Sequence, residues 1–291
     1  EQLNVPLEVI SLQSEYLERV VSYALDELRV GRTPSPDIFC NQRIKFGAFF
    51  DHIDASFEKV ATGHYAQILK LDGMFQLRRA PDPVKDQTYF LSGMYQDQVA
   101  RALFPIGHLM KNDVRKLAQD FDLPNQSRKD SQGICFLGKI SYPDFVKFHL
   151  GEEEGDIIDI ETQRVLGPHR GYWYYTIGQR QGLGLSGGPW YVVQKDVEKN
   201  IIYVSHGTQH QDESRDQFVV AKPNWIAQPP EKTDLILKLR HGPEMIDCSI
   251  EMMDHERLAV KMAEKDSGVA PGQFSVFYNG EVCLGSGVIE S

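Results

Sequence analysis

Residues 31–42 read Gly31-Arg32-Thr33-Pro34-Ser35-Pro36-Asp37-Ile38-Phe39-Cys40-Asn41-Gln42, with a carboxylate three residues before a thiol. Pro34 and Pro36 bias Thr33 and Ser35 away from helical angles, so the segment is expected to enter as a stiff, extended loop. After Cys40 the pattern turns helical, with Ile44, Ala48, Phe49, His52 and Ile53 close to one face. That reading puts Cys40 at or just before a helix N-terminus, where the positive end of the helix favours thiolate. Asp37 is then near enough to act on a substrate beside the sulfur. The plainer reading is a buried cysteine and a loop-capping aspartate.

A second thiol occupies a polar, glycine-containing stretch, Lys129-Asp130-Ser131-Gln132-Gly133-Ile134-Cys135-Phe136. Backbone N–H groups of such a loop can meet a substrate, and Lys129 can lower a nearby thiol pKa. Two loop cysteines suggest thiol relay chemistry more than packing. Cys248 and Cys283 complete the set, and no C-x-x-C occurs, which argues against a zinc or iron–sulfur site. No metal-ligating residues are predicted.

The chain has 291 residues, 41% of them hydrophobic, enough for two or three domains. Its net charge of −10 is unfavourable for a polyanion, so RNA binding requires a local basic surface. Lys and Arg gather at Arg78-Arg79, Arg128-Lys129, and Lys238 with Arg240. There is no apolar signal at the start and no run long enough to span a membrane, so a reducing, cytoplasmic location is expected, the mitochondrial or plastid matrix being the alternative.

Along the chain, residues 6–12 (PLEVISL) read as a buried strand. A helix follows with Tyr16, Leu17, Val20, Val21, Ala24, Leu25 and Leu28 on one stripe, stopped by Gly31. Residues 59–62 (KVAT) read as a short buried strand running into Gly63-His64. Such a strand end is where open α/β sheets place ligands. Residues 67–79 form a hairpin turning at Asp72-Gly73. Asn112 is expected to cap a helix with Val114, Leu117, Ala118 and Phe121, and Ser141 with Pro143 to start another with Phe145, Val146 and Leu150 inward.

After an acidic hinge at Glu152-Glu153-Glu154-Gly155-Asp156 the style becomes β-rich and aromatic. Alternating strands at 234–239, 248–252, 258–262 and 274–278, with Asn279-Gly280 as a turn, suggest a β-barrel. The expected organisation is therefore an α/β domain over 1–150, a small mostly-β domain over 151–212 and a C-terminal β-barrel over 213–291.

The blocks GRTPSPDIFCNQRIKF, ATGHYA, KDQTYFL, DSQGICFLG, YTIGQRQGLG, PWYVV and GQFSVFYNGEVCLGSGVI resemble a tRNA-specific 2-thiouridylase. The resemblance runs over nearly the whole chain. It implies a first domain of the adenine-nucleotide α-hydrolase (PP-loop) type, and sulfur insertion at C2 of the wobble uridine after adenylation of its oxygen. It implies ATP as co-substrate with its accompanying magnesium, tRNA as partner, and a persulfide donor that is a cysteine desulfurase or a relay protein. It further implies a monomer.

It assigns the persulfide to Cys135, the second catalytic thiol and a transient disulfide to Cys40, and uracil chemistry to Asp37. Ser35 and Pro36 line the base pocket, although the family commonly has Asn where Ser35 stands. Further tRNA contacts are His64, Lys85, Asp86, Gln87, Arg240, His241 and Gln273, and Gly63 contacts ATP.

The family's phosphate loop reads S-G-G-x-D-S. Ser186-Gly187-Gly188 begins like it but continues Pro189-Trp190, in the β-rich part. The expectation is that the loop precedes Glu1, that the first domain is truncated, and that this chain alone lacks activity. Two other classes remain at this stage: a non-catalytic tRNA-binding fragment, and a Cys–His hydrolase using Cys40, His64 and Asp37.

Overall fold

The computed structural model describes residues 5–127, 140–207 and 214–290. Helical segments Gln13–Tyr16, Leu17–Val21 and Ser22–Arg29 follow without a break and form α1, whose middle is π-wound. Its apolar stripe packs inward at Tyr16, Val20, Val21, Ala24, Leu25 and Leu28, while Leu17 is exposed. Gly31, at φ +77°, turns the chain out of the helix.

Helix α2 consists of Pro36–Phe39, a π-wound Cys40–Ala48 and Phe49–His52. Its start differs from the expectation. Pro36 is itself the first helical residue, a position where proline's fixed φ and missing N–H cost nothing. Ser35 is the non-helical residue before it. Asp37 therefore sits in the positive first turn, and Cys40 lies one turn inside.

Strands β1 (Val60–Ala61) and β4 (Ala102–Leu103) form a two-stranded parallel sheet, and β1 is half-buried to exposed rather than buried. The strand expected at 6–12 is absent. Leu7 and Val9 are exposed, and residues 8–13 line the same cleft of about 950 Å³ as Val60, Ala61 and Thr62. Instead Leu12 joins the core of α1 and Ile10 packs against it, so the end of the segment is buried without pairing as a strand.

Hairpin β2 (Ala66–Leu71) and β3 (Met74–Arg79) turns at Asp72 and Gly73, both at positive φ. Short helices α3 (Thr88–Leu91) and α4 (Gln96–Arg101) follow. Helix α5 (Lys111–Asp120) is not capped by Asn112. Met110 precedes it, and the Asp82 carboxylate accepts the Lys111 N–H at 3.0 Å. Its expected apolar residues Leu117 and Phe121 are exposed among the described residues. Helix α6 (Tyr142–Leu150) follows the expectation: the Ser141 hydroxyl accepts the Asp144 N–H, and Phe145 and Val146 are buried.

Beyond Gly151 lies a four-stranded sheet in the order β6-β5-β8-β7: β5 (Gly155–Asp159), β6 (Val165–His169), β7 (Trp190–Asp196) and β8 (Ile201–His206). Its aromatic residues Tyr172, Trp173 and Tyr175 are core, packed with α1, α6 and Cys40.

The last six strands are β9 (Arg215–Trp225), β10 (Asp234–Lys238), β11 (Ile246–Met252), β12 (Arg257–Asp266), β13 (Phe274–Asn279) and β14 (Val282–Ile289). They pair in the order β13-β10-β11-β12-β9-β14, and β14 returns to β13, which closes the barrel. Strand β13 shows the period-two rule: Phe277 fills the barrel, while Phe274, Val276 and Tyr278 face the α/β domain with Ile38, Leu77 and Tyr89. Sequence patterning missed one pairing. Hairpin strand β3 joins β14, with Leu77 opposite Cys283, so the first domain's hairpin extends the last domain's sheet.

Candidate functional site

All three parts of the chain grip residues 29–35. Arg32 makes a two-pronged ion pair with Glu27 at 2.6 and 2.7 Å. The Thr33 N–H donates to Pro271 O at 2.9 Å, and Lys195 Nζ donates to Gly31 O at 2.9 Å. The Tyr172 hydroxyl donates to Arg29 O at 2.6 Å. Gly272 allows the barrel loop to come this close: a Cβ there would stand 2.8 Å from Arg32 Cβ and from Thr33 O.

The loop delivers Ser35, Pro36 and Asp37 to the start of α2, and Cys40 follows. Asn41, buried, holds this turn by donating from Nδ2 to Asp37 O at 3.0 Å and Phe90 O at 3.1 Å. The wide winding after Cys40 leaves carbonyls to satisfy, and Gln98 Nε2 donates to those of Gln42 and Phe46, both at 2.8 Å. Cys40 is 1% exposed, among α1 and central-domain side chains. Cys40, Cys248 and Cys283 form no disulfide among the described residues. Cys135 and Lys129 lie outside the described residues.

The second wall is the 85–90 segment. Asp86, expected at RNA, is fully buried. It accepts Lys238 Nζ at 2.9 Å and Arg79 Nε at 3.3 Å, and its other oxygen accepts the Thr88 hydroxyl at 2.8 Å. A carboxylate with no exposed surface cannot meet a phosphate or a base directly. It is the pin between hairpin, loop and barrel. Lys238, read as part of a basic cluster, is its buried partner and adds nothing to the surface charge. Gln87 likewise turns inward, its Oε1 accepting the Tyr65 N–H at 2.9 Å. Lys85 is half-buried beside them.

Around this pin the remaining residues meet. The His241 ring packs at 4.6 Å against Phe90, tilted by 35°, and Asn41 holds the Phe90 carbonyl. Burial lowers the His241 pKa, and Lys238 adds to the effect, so the ring is neutral near pH 7. Tyr89 Oη lies 3.2 Å from Phe274 O, next to Gln273, and its pKa is raised by burial while Ser35 bonds to it. Arg240 is already engaged, at 2.7 Å from Asp266 and 3.3 Å from Glu244. Its charge is therefore partly spoken for. Ser35, Pro36, Asp37, Lys85, His241 and Gln273 thus come from four separate stretches to the junction of α2 with the barrel, while Cys40, one turn on, packs against α1 and the central domain. Asn41, Tyr89 and Phe90, which hold them there, lie within the GRTPSPDIFCNQRIKF and KDQTYFL blocks, where sequence alone assigns them no role.

His64 and Gly63 lie elsewhere. His64 is buried between Phe46 and Phe104, with Nδ1 2.7 Å from Thr62 Oγ1. Burial, helped by Lys45, lowers its pKa to about 3. A base so weak is poorly matched to activating a thiol near pH 7, and His64 packs in a different cluster from Cys40. A Cys40–His64 hydrolase centre is not assembled. Gly63 is exposed, with nothing nearer its Cβ direction than Ile106 at 4.0 Å. Neighbouring Thr62 borders the 950 Å³ cleft, which leaves room for a ligand to approach the backbone.

Three family profiles cover the chain in succession. The tRNA methyl transferase HUP domain matches residues 1–139, the tRNA methyl transferase PRC-barrel domain 143–206, and the aminomethyltransferase beta-barrel domain 215–289. The tRNA-specific 2-thiouridylase MnmA 1 of Bacteroides thetaiotaomicron is 49% identical over 290 residues, covering 97% of this chain and 82% of the relative. The chain belongs to the tRNA-specific 2-thiouridylase family. The thiouridylase of Parabacteroides distasonis is 47% identical over 97% of the chain and 80% of the relative, and that of Porphyromonas gingivalis 45% over 98% and 81%. The architecture of this thiouridylase is thus a HUP-type α/β domain, a central PRC-barrel domain and a six-stranded β-barrel. A HUP domain in this family implies use of ATP. No helix among the described residues is long and apolar enough to cross a membrane, and no group of three or more His, Cys, Asp or Glu is placed to hold a metal ion.

Proposed function

We propose that this thiouridylase inserts sulfur at C2 of the wobble uridine of tRNA, with Asp37, Cys40 and Cys135 as its chemical groups. The observation that carries the reading is Asp37 at the start of α2, tied through Asn41 to Phe90 and so to His241 at the barrel junction, with Cys40 one turn further along the same helix. The profile names speak of methyl transfer, but two thiols in separate polar blocks suit sulfur relay.

The chemistry balances as follows. The uridine C2 oxygen takes the adenylyl group of ATP, pyrophosphate leaves, and the oxygen becomes part of a good leaving group. The terminal sulfur of a persulfide on Cys135 then bonds to C2. Cys40, as thiolate, attacks the Cys135 sulfur and the S–S bond breaks. The transferred sulfur stays on C2, AMP departs with the original oxygen, and Cys40 and Cys135 end as a disulfide. An external thiol reductant restores both.

Asp37 holds or deprotonates the uracil ring from its place in the first turn of α2. Ser35 and Pro36 line the base pocket. His241, neutral and packed at a tilt against Phe90, offers a hydrogen-bonding edge beside a ring on which a base can lie. Lys85 and Arg240 face the phosphates, Arg240 while shared with Asp266. Gly63 admits the nucleotide at the cleft mouth. Cys40, 1% exposed, is reached only after the flipped uridine and persulfide displace its covering side chains. A persulfide-loaded desulfurase or relay protein supplies the sulfur.

The test is Asp37→Asn assayed for 2-thiouridine against the unaltered protein. Thiolation should fall by about 10²- to 10⁴-fold with tRNA affinity within about threefold, as for loss of a positioned acid–base group. Activity within twofold of the unaltered protein would remove Asp37 from the chemistry.

A further inference from the structure

A groove of about 430 Å³ opens where α2 faces the barrel, bounded also by α1 and the turn before α4. Arg19, Arg43 and Lys222 line it, and Asp51 is the only carboxylate among the lining residues. In a chain of net charge −10 this is a local reversal of sign.

Arg43 is pre-arranged rather than loose. Its guanidinium lies 3.6 Å over the Phe39 ring and donates one N–H to Arg19 O at 2.8 Å. The charged and titratable groups that act on it are Tyr23, Tyr95 and Arg19, with no carboxylate among them, and burial lowers its pKa. Holding a half-buried arginine next to another cation is unfavourable unless an anion joins them. Two further features belong to its lining residues. Ser286 is 1% exposed, and its buried hydroxyl has no hydrogen-bond partner among the described residues. Lys222 holds its backbone at φ +48°, a strained angle for a lysine within β9. Tyr95 stands at the rim, 52% exposed, as a flat apolar face.

We propose that this groove binds a phosphate of the tRNA backbone through Arg19, Arg43, Lys222 and the Ser286 hydroxyl, with the adjoining base laid on Tyr95. It is a second contact point, beside the Asp37–Cys40 turn but lined by neither residue, that anchors the RNA strand next to the flipped uridine. The inference rests on the reading that the chain acts on tRNA.

The experiment measures tRNA binding by the full chain across a salt series. The test variant is Arg19→Gln with Lys222→Gly. Arg19 is an exposed helix position, and glycine accepts φ +48° more readily than lysine, so this variant keeps its fold. A charge-matched control, Lys232→Gln with Lys265→Gln, removes two exposed cations outside the groove. The test variant should bind tRNA roughly tenfold more weakly near 0.15 M salt, with a log–log salt slope smaller by about 2, near one per lost cation, while the control stays within about twofold. Unchanged affinity and slope in the test variant would overturn the proposal, as would equal losses in test and control. Weakened AMP binding with unchanged tRNA binding would mark a free-nucleotide site and overturn it too. Failure of the unaltered chain to bind tRNA would overturn the tRNA reading, and this inference with it.

Discussion

Replacing Lys238 by methionine probes the pin that joins the first domain to the last. Lys238 and Asp86 are both fully buried, with Nζ and Oδ2 2.9 Å apart. At an effective dielectric of about 20, unit charges at that distance attract by roughly 6 kcal/mol, most of which offsets desolvation. Removing one partner exposes the desolvation cost, typically about 3–5 kcal/mol. After Lys238→Met, Asp86 still has Arg79 Nε at 3.3 Å and the Thr88 hydroxyl at 2.8 Å, so the low end, about 3 kcal/mol, is expected. Asp86→Asn leaves Lys238 buried without a carboxylate and should cost more, about 4–5 kcal/mol. The double variant should recover about 1–3 kcal/mol relative to the sum. Urea unfolding followed by circular dichroism gives all three values. Single variants that each cost under about 1 kcal/mol, or strict additivity, would refute the claim that a buried ion pair holds the loop.

Gly272→Ala should cost about 1–3 kcal/mol and depress thiolation more than stability alone explains, because its Cβ would push on Arg32 and Thr33, which position Ser35 to Cys40; parallel thiolation and thermal melts check this, and unchanged activity would refute it. His64 is neutral when folded, with a pKa of about 3 against about 6.5 unfolded, so the unfolded state binds the extra proton and stability is lost as pH falls from about 6.5 towards 3. Over that window His64→Phe should reduce the pH slope of unfolding by about one proton, near 1.4 kcal/mol per pH unit; parallel slopes would contradict it. Burial pushes the thiols of Cys248, to about 12, and Cys283 upward, so neither should react with a thiol reagent in the native protein at pH 7.5, as peptide mass mapping would show.

Much of this was legible in the sequence where local rules and tertiary demands agree. The α1 stripe, the Asp72-Gly73 hairpin, the Ser141 cap and the barrel strands are cases where periodicity and turn chemistry act alone. Residues 6–12 misled because an apolar run records a wish for burial, not the presence of a neighbour. Cys40 was placed a turn too early because proline was read as excluding helix, when at the first helical position it starts one. The KDQ block was read as an RNA contact, and Asp86 instead faces inward. Nothing local distinguishes a surface carboxylate from one whose partner, Lys238, is 152 residues away. The role of Gln98 depends on carbonyls left by a π-wound helix, which no propensity scale signals, and that of Asn41 on a carbonyl from a distant helix.

The most direct test is mass-spectrometric nucleoside analysis of tRNA incubated with the protein, ATP and a persulfide donor, comparing the unaltered protein with Cys40→Ser. The account predicts 2-thiouridine at the wobble position only with unaltered protein and only when ATP is present. Formation of 2-thiouridine by Cys40→Ser at the unaltered rate, or without ATP, would contradict it.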